Sequence, residues 1–549
     1  MKRACIPAVL LSLAFLLPAG AADPAPLKVD VCVYGGTAGG VIAAVSVVKQ
    51  GKSVVLIEPS KHLGGMTSGG LGWTDFGNKG AIGGLSREFY QKLGKIYGKP
   101  EAWTFEPHAA EKVLNDYVAE NKIKVLFAHR LGKVVKDGAR IQRIVLDQAD
   151  PDPTGAPAAK ATKPDAAVVE AAMFIDATYE GDLMAGAKVG YMVGREANSK
   201  FNETLNGVRA KTPHHQFIVK TDPFKKAGDP ASGLLPLIQP GDGGTPGDGD
   251  RCVQAYNFRL CLTKNAENKL PIRAPVAYDP QRYEILARYL EALVADGKKP
   301  TLKMLLKIDM VTPAKTDINN QGAVSTDFIG ENYEYPDGDW VTRNRIWNAH
   351  EHYIRGLLYF LATSSRVPED VRADMQSWGL CKDEFQDTQG WPHQLYVREA
   401  RRMIGRYVVT QNDCEHKTKI EDSVGMGAYN MDSHNCQRLV KAGAAINEGD
   451  VQVGPKGPYG VPYRSITPKT AECENLLVPV ALSATHIAYG SIRMEPVFMV
   501  LGQSAATAAC QAIAEKKPVQ DIDFARLQKS LLEAGQVLEF KLAPKPAAK

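Results

Sequence analysis

Two histidines stand in dense motifs where an imidazole could act as a base: His434 in MDSHNCQR and His486 in SATHIAYG. Imidazole titrates near neutrality, which suits removal of a proton from an O–H or N–H while a hydride leaves the adjoining carbon. His108, after Glu106 and Pro107, reads instead as a residue of a helix start. Either candidate base could equally be a buried histidine satisfied by backbone. The stretch YVREARRM supplies Arg398, Glu399, Arg401 and Arg402. Read as a helix, it puts Arg398 and Arg402 on one face, where they could clamp a carboxylate such as a uronic acid or pair with Glu399 and nearby acids. Arg493 precedes a long apolar helical stretch and suits the stabilisation of an anion. Asp317 and Asn319 in KTDINN could bind sugar hydroxyls or simply build a turn.

These side chains need a scaffold, and the clearest part of it is the run VDVCVYGGTAGGVIAAVSVVKQGKSVVLIE at 29–58. It reads as a strand from Val29 to Tyr34, a glycine turn, a helix to about Gln50, and a second strand ending at Glu58. Two glycine registers are possible, one on Gly36 and Gly39 and one on Gly35, Thr37 and Gly40. Gly40 to Gly51 is eleven residues, about three helical turns, and Gly35 to Glu58 is twenty-three, near the spacing of a ribose-binding acid. The second register is therefore favoured. Gly35 makes the tight turn, Gly40 allows close helix–strand packing, helix N–H groups face a pyrophosphate, and Glu58 accepts from a ribose. Thr37 replaces the middle glycine, and its hydroxyl could bond a phosphate. A second glycine-dense loop follows, with Gly64, Gly65, Met66 and Thr67, able to lie flat against a large planar ring. FIDATYEGDLMA ends a strand at Asp176, with Gly181 and Asp182 after it. The helix opened by Glu495 and Pro496 could aim its N-terminus at a group that becomes anionic on reduction.

The 549 residues exceed what one core organises, and two or three domains are expected. The formal charge of +5 and the lack of a basic block argue against nucleic acid. Residues 1–22 read as a secretory signal with a basic start, an apolar run from Ile6 to Leu17 and small residues before the cut, so export to the periplasm or medium is expected. No other segment is apolar for long enough to span a membrane. The boundaries expected are 28–200 for a first nucleotide-binding part, 201–425 for an inserted α+β substrate domain, and 426–549 for a return with a C-terminal helix. ADPDPTGAPAAKATKPD is expected to be a mobile surface loop, and VQAYNFRLCLT (253–263) a strand. The cysteines show no Cys-x-x-Cys, so neither a zinc nor an iron–sulfur framework is expected. No metal site is expected at HEH (350–352), whose histidines fall on different helix faces.

Together the motifs VYGGTAGGVIAA, HLGGMTSGGLGWTD, FIDATYEGDLMAGAKVGYMVGRE, QLYVREARRMIG, YNMDSH and LSATHIAYGSIRMEPVFMVLGQSAATAA carry a resemblance. The chain resembles FAD-dependent oxidoreductases of the glutathione-reductase-like two-domain fold, in particular secreted bacterial members labelled xanthan lyases and grouped with heterodisulfide-reductase-like flavoproteins. The resemblance implies an α/β fold with a Rossmann-type FAD-binding domain, bound FAD, and redox chemistry on a small molecule. Gly35, Gly36, Thr37, Gly40, Glu58, Gly64, Gly65, Met66, Thr67, Asp176, Gly181 and Asp182 would contact or frame the cofactor. Arg493 would lie by the flavin edge and His434 and His486 near the substrate. The iron–sulfur cluster of the heterodisulfide reductases does not carry over, because the cysteine spacing does not support one. His62, before the glycine loop, is a position to check for a covalent flavin link. The labels suggest a carbohydrate or glycoside oxidised at an alcohol carbon, with an unidentified electron acceptor. The alternatives are flavin-assisted elimination or glycoside cleavage, and a non-catalytic flavin-containing binding protein. A cavity is expected to join the tip of the first strand to the start of the last helix.

Overall fold

The computed structural model describes residues 25–540, and the expected signal segment lies outside them. The opening run folds as read: β1 (Leu27–Tyr34), α1 (Ala38–Lys49) and β2 (Val54–Glu58). Val31, Val33, Val54 and Leu56 are buried, as a strand pair covered by a helix requires. The sheet continues with β3 (Lys124–Phe127), β4 (His129–Asp137), β5 (Arg140–Gln148), β6 (Lys163–Asp176) and β7 (Leu476–Leu477).

The strand order is β3-β2-β1-β6-β5-β4, and β7 adds parallel to the end of β6. Pairs β1–β2, β2–β3 and β1–β6 are parallel, whereas β4–β5 and β5–β6 are antiparallel. This is a parallel-rich mixed sheet of Rossmann type. The parallel register brings Tyr34 beside Ile57 and Asp176, so the carboxyl ends of β1, β2 and β6 form one rim. Ligands bind outside such a rim.

α1 is held against a second long helix, α3 (Glu495–Glu515). A Cβ on Gly39 would stand 2.8 Å from the Phe498 carbonyl oxygen, and one on Gly502 would overlap the Gly39 carbonyl. Close backbone approach therefore needs both glycines. α3 is apolar and long enough to cross a membrane, but 89% of its apolar window is buried inside the protein, where it serves as the core helix of the sheet layer.

Between β6 and β7 the chain forms small two-stranded sheets and the helix α2 (Trp340–Thr363). Leu286, Leu357 and Phe258 of this region belong to the same apolar cluster as Val31, Ile42 and Phe498. Two expected elements differ. Only Leu262–Thr263 of VQAYNFRLCLT is a strand, because Gln254, Asn257 and Arg259 bond to Glu399, Thr326 and Asp317 side chains rather than letting the segment run in a regular ladder. The proline-rich segment at 149–162 is seated rather than mobile. Ala156 is buried, and Asp152 accepts from Asn344 and Asn348 of α2.

Candidate active site

The glycine register chosen by spacing is the one built. Gly35 has φ +104°, and a Cβ there would stand 2.8 Å from the backbone of Ala177. A Cβ on Gly40 would overlap the Gly35 carbonyl oxygen, so this glycine sets the helix–strand distance. Gly36 N donates to Glu58 Oε2 at 2.7 Å, and Ser60 N to Oε1 at 2.6 Å. Burial raises the Glu58 pKa, with the N–H groups of Ser60 and Gly36 working against that rise. The Thr37 hydroxyl donates to Ala177 O at 2.8 Å and accepts from Gly40 N at 3.2 Å, capping α1. Its one proton is spent on backbone, which corrects the expectation that it would donate to a phosphate.

Around this turn lies a cavity of about 660 Å³. Gly35, Thr37, Glu58 and Gly65 line it together with Tyr335, Trp340, Trp347 and His393 from the region between β6 and β7. The glycine loop docks on the same turn, Gly64 N donating to Gly36 O at 2.7 Å. Gly65 has φ +54°, and a side chain there would strike the Tyr179 ring. A cradle from which Cβ atoms are excluded at Gly35, Gly64 and Gly65, with a buried acid at the end of β2, fits an adenosine diphosphate group. These residues, with Met66 and Thr67 behind them, are the ones that would hold FAD.

Asp176 lies one layer back, whereas Asp182 lines the cavity itself. Asp176 accepts from Thr178 N and Oγ1 and from Met184 N, which shapes the turn after β6; burial pushes its pKa up to about 6. Gly181 takes φ +67° in that turn. Asp182 is gripped by Arg343 at 2.7 and 2.8 Å and by Arg401 at 2.8 Å. Burial alone would raise it, but the two guanidinium groups hold it at about 2.

The expected single cavity is a series of three. Tyr179 ends the first: its hydroxyl donates to Glu495 Oε1 at 2.8 Å and accepts from Met66 N. Beyond it, a narrow chamber is lined by Thr67, Tyr396, Arg493 and Glu495. Tyr396 and Asp75 also line a third, polar cavity of about 1290 Å³. Thr67 donates to Glu495 Oε2 at 2.7 Å, and burial pushes the Glu495 carboxyl up to about 7.

His434 lies on the wall of the third cavity. Its Nδ1 is 2.6 Å from Asp327 Oδ2, and Asp327 is ion-paired to the buried Arg398 at 3.0 Å. Nε2 lies 3.8 Å from Asp432, outside hydrogen-bond reach. Burial and the Arg398 charge lower the His434 pKa against the opposing pull of Asp327. Arg493 donates to Asp432 at 2.8 Å. Asn319, Asn320, Gln452 and Tyr429 complete the wall.

The other expected residues are placed differently. His486 lines none of the cavities described. Nδ1 is 2.7 Å from Glu399 and Nε2 3.0 Å from Ser433 Oγ, so both nitrogens are spent inside the core. Arg398 and Arg402 share no helix face, because 396–401 is irregular and only Arg402–Met403 forms a strand. Arg402 pairs with Glu399 at 2.7 Å and Glu196 at 2.9 Å. Arg398 acts through Asp327 instead of clamping a substrate carboxylate. Asp317 is spent on Arg259, whereas Asn319 reaches the polar cavity. His62 bonds Glu111 and Asp387, both at 2.8 Å. Asp327, Asp432, Tyr179 and His393 were not foreseen; 107 residues separate Asp327 from His434, and no local spacing signals that pair.

Among solved structures, the chain is similar to OxyS anhydrotetracycline hydroxylase from Streptomyces rimosus, with 12% identity over 38% of this chain and 40% of that one and a TM-score of 0.21. It is similar to a flavoprotein/dehydrogenase from Cytophaga hutchinsonii, with 18% identity over 30% and 42% and a TM-score of 0.21. It is also similar to thioredoxin reductase from T. acidophilum, with 17% identity over 27% and 34% and a TM-score of 0.17. The chain thus spans less than half the length of each. No curated protein matches it. The family of FAD dependent oxidoreductases matches residues 30–531, from β1 to beyond α3, and the chain belongs to that family.

Proposed function

We propose that this protein is an exported flavoenzyme that oxidises an alcohol carbon of a carbohydrate or glycoside. One observation carries the reading: a carboxylate-oriented histidine on the wall of a large polar cavity that adjoins the glycine-loop chamber. Bound flavin supplies a two-electron acceptor for a hydride. What remains for the chain is to bind the alcohol and take its proton. Asp327 accepts from Nδ1–H of His434, which fixes the tautomer whose Nε2 lone pair is free to receive that proton. When the imidazole becomes charged, the same carboxylate stabilises it. Arg398 holds Asp327 ionised.

The amides of Asn319, Asn320 and Gln452 offer donors and acceptors together, and Tyr396 and Tyr429 offer flat apolar faces with a hydroxyl. That mixture suits a polyhydroxylated ring better than an apolar substrate. Residues 1–22 support export. The test is anaerobic mixing of the FAD-loaded protein with a panel of sugars and glycosides. Bleaching of the flavin band near ~450 nm with a product two hydrogens lighter is expected. A band that no sugar bleaches refutes the reading. A cleaved or unsaturated sugar with oxidised flavin retained would identify the elimination chemistry instead.

A further inference from the structure

His393 lines the same cavity as Glu58 and Ser60 and is 3% exposed. Neither Nδ1 nor Nε2 has a hydrogen-bond partner among the described residues. One ring face is covered by His62, with centroids 3.8 Å apart and planes within 4°, and Phe385 meets the ring at 5.3 Å nearly edge-on. The ring is therefore clamped by packing while its polar edge is left unused. A buried, unpaired donor and acceptor is costly, and the cost is removed when a ligand supplies the missing partners.

A metal ion is the first alternative, because His62, Glu111 and His393 bring ligand atoms within 4.8 Å of one another. Imidazole lone pairs lie in the ring plane. Two parallel rings stacked face to face cannot direct them at one ion held about 2 Å from each nitrogen. His62 has in any case committed both nitrogens to Glu111 and Asp387. An organic ligand with polar edges is left, and the cavity is the one that the β1 turn and Glu58 also line.

We infer that His393 is a ligand of the adenosine half of FAD, supplied from the region between β6 and β7. It lies on the Glu58–Ser60 side of the cavity, the end where the ribose-binding acid stands, and away from the Glu495 chamber. The region between β6 and β7 would then contribute to cofactor affinity as well as to substrate binding. The proposal stands whether or not the substrate is a sugar.

The test is binding of FAD, ADP and FMN to the apoprotein, read by flavin fluorescence quenching and by ADP competition. His393→Phe keeps the stack on His62 and deletes both nitrogens. The Kd for FAD and for ADP should each rise about tenfold or more, while that for FMN stays unchanged. Unchanged FAD and ADP affinity in H393F overturns the proposal, as does a loss confined to FMN. Should H393F fail to fold, the wild-type apoprotein answers the question through hydrogen–deuterium exchange at the His393 C2 position. Saturating ADP should slow that exchange and FMN should not. Exchange indifferent to ADP refutes the assignment.

Discussion

Glu495 offers the sharpest test of the electrostatics, because its charge can be removed with little change of shape. The carboxyl is buried at the first turn of α3 and accepts from the Thr67 and Tyr179 hydroxyls, without a cation partner among the described residues. Burial pushes it from 4.5 to about 7. A raised carboxylate pKa means that the folded protein keeps a proton the unfolded chain has released. Stability from this group is thus complete below about pH 4.5, declines between about pH 4.5 and 7, and is constant above. The whole decline is worth about 3 kcal/mol. Glu495→Gln carries the same volume with no titration. Its amide must find new partners among Thr67 and Tyr179, which adds an offset that does not vary with pH. The difference in unfolding free energy between variant and wild type should therefore move by about 3 kcal/mol in the variant's favour over this window and then level off. Urea unfolding of the two apoproteins at a series of pH values measures it. Other titrating groups, such as Asp176 with its pKa near 6, are shared and cancel in the difference. Two stability curves that run parallel between about pH 4.5 and 7 would show that Glu495 is ionised throughout, and the argument from burial would fail.

His434→Gln should lower kcat by about 10²–10⁴-fold and remove the acid limb of kcat/KM. In the wild type that limb should fall below the ordinary histidine pKa of 6.5, since burial and Arg398 keep the imidazole neutral there. Asp327→Asn should disorient His434 and leave Arg398 buried without its carboxylate, costing about 3–5 kcal/mol in thermal or urea unfolding. Gly40→Ala forces a methyl onto the Gly35 carbonyl; a loss of about 1–3 kcal/mol and of flavin retention through gel filtration is expected. Cys261 and Cys381 face each other with sulfurs 3.7 Å apart. A thiol oxidant such as diamide should remove two hydrogens from the pair, read as an intact-mass change absent in Cys381→Ser.

The opening βαβ unit was legible because its constraints are local. Three glycine and threonine positions, a helix of whole turns and an acid at the strand end all lie within 30 residues, and the structure builds the register that this spacing selects. The helix α3 was legible for the same reason, from Glu495 and Pro496 to a long apolar stretch, although a further helix, Phe524–Glu533, follows it. The polar residues of the middle region were harder to read, and YVREARRM shows why. Helical spacing would make Arg398 and Arg402 neighbours, yet the segment is tied to distant chain instead: Tyr396 N donates to Asn257 O at 2.8 Å, and Arg398 bonds the Ala255 carbonyl and Asp327. A buried guanidinium takes whichever carboxylate the tertiary fold delivers, since leaving it unpaired costs more than any gain from local helix formation.

The same logic separates the two candidate histidines, which local sequence could not rank. His486 and His434 are each oriented through Nδ1 by a buried carboxylate, Glu399 and Asp327. The difference lies in the second nitrogen. On His486 it meets Ser433 inside the core, and on His434 it stays outside hydrogen-bond reach of Asp432 at the cavity wall. A base needs an oriented ring and a free lone pair that a substrate can reach, and only the long-range packing of the 431–433 strand and the 316–327 segment decides which histidine keeps one. His393 is the opposite case: His62 and Phe385 pack its ring while neither nitrogen has a partner among the described residues, and the proposed FAD contact would supply one.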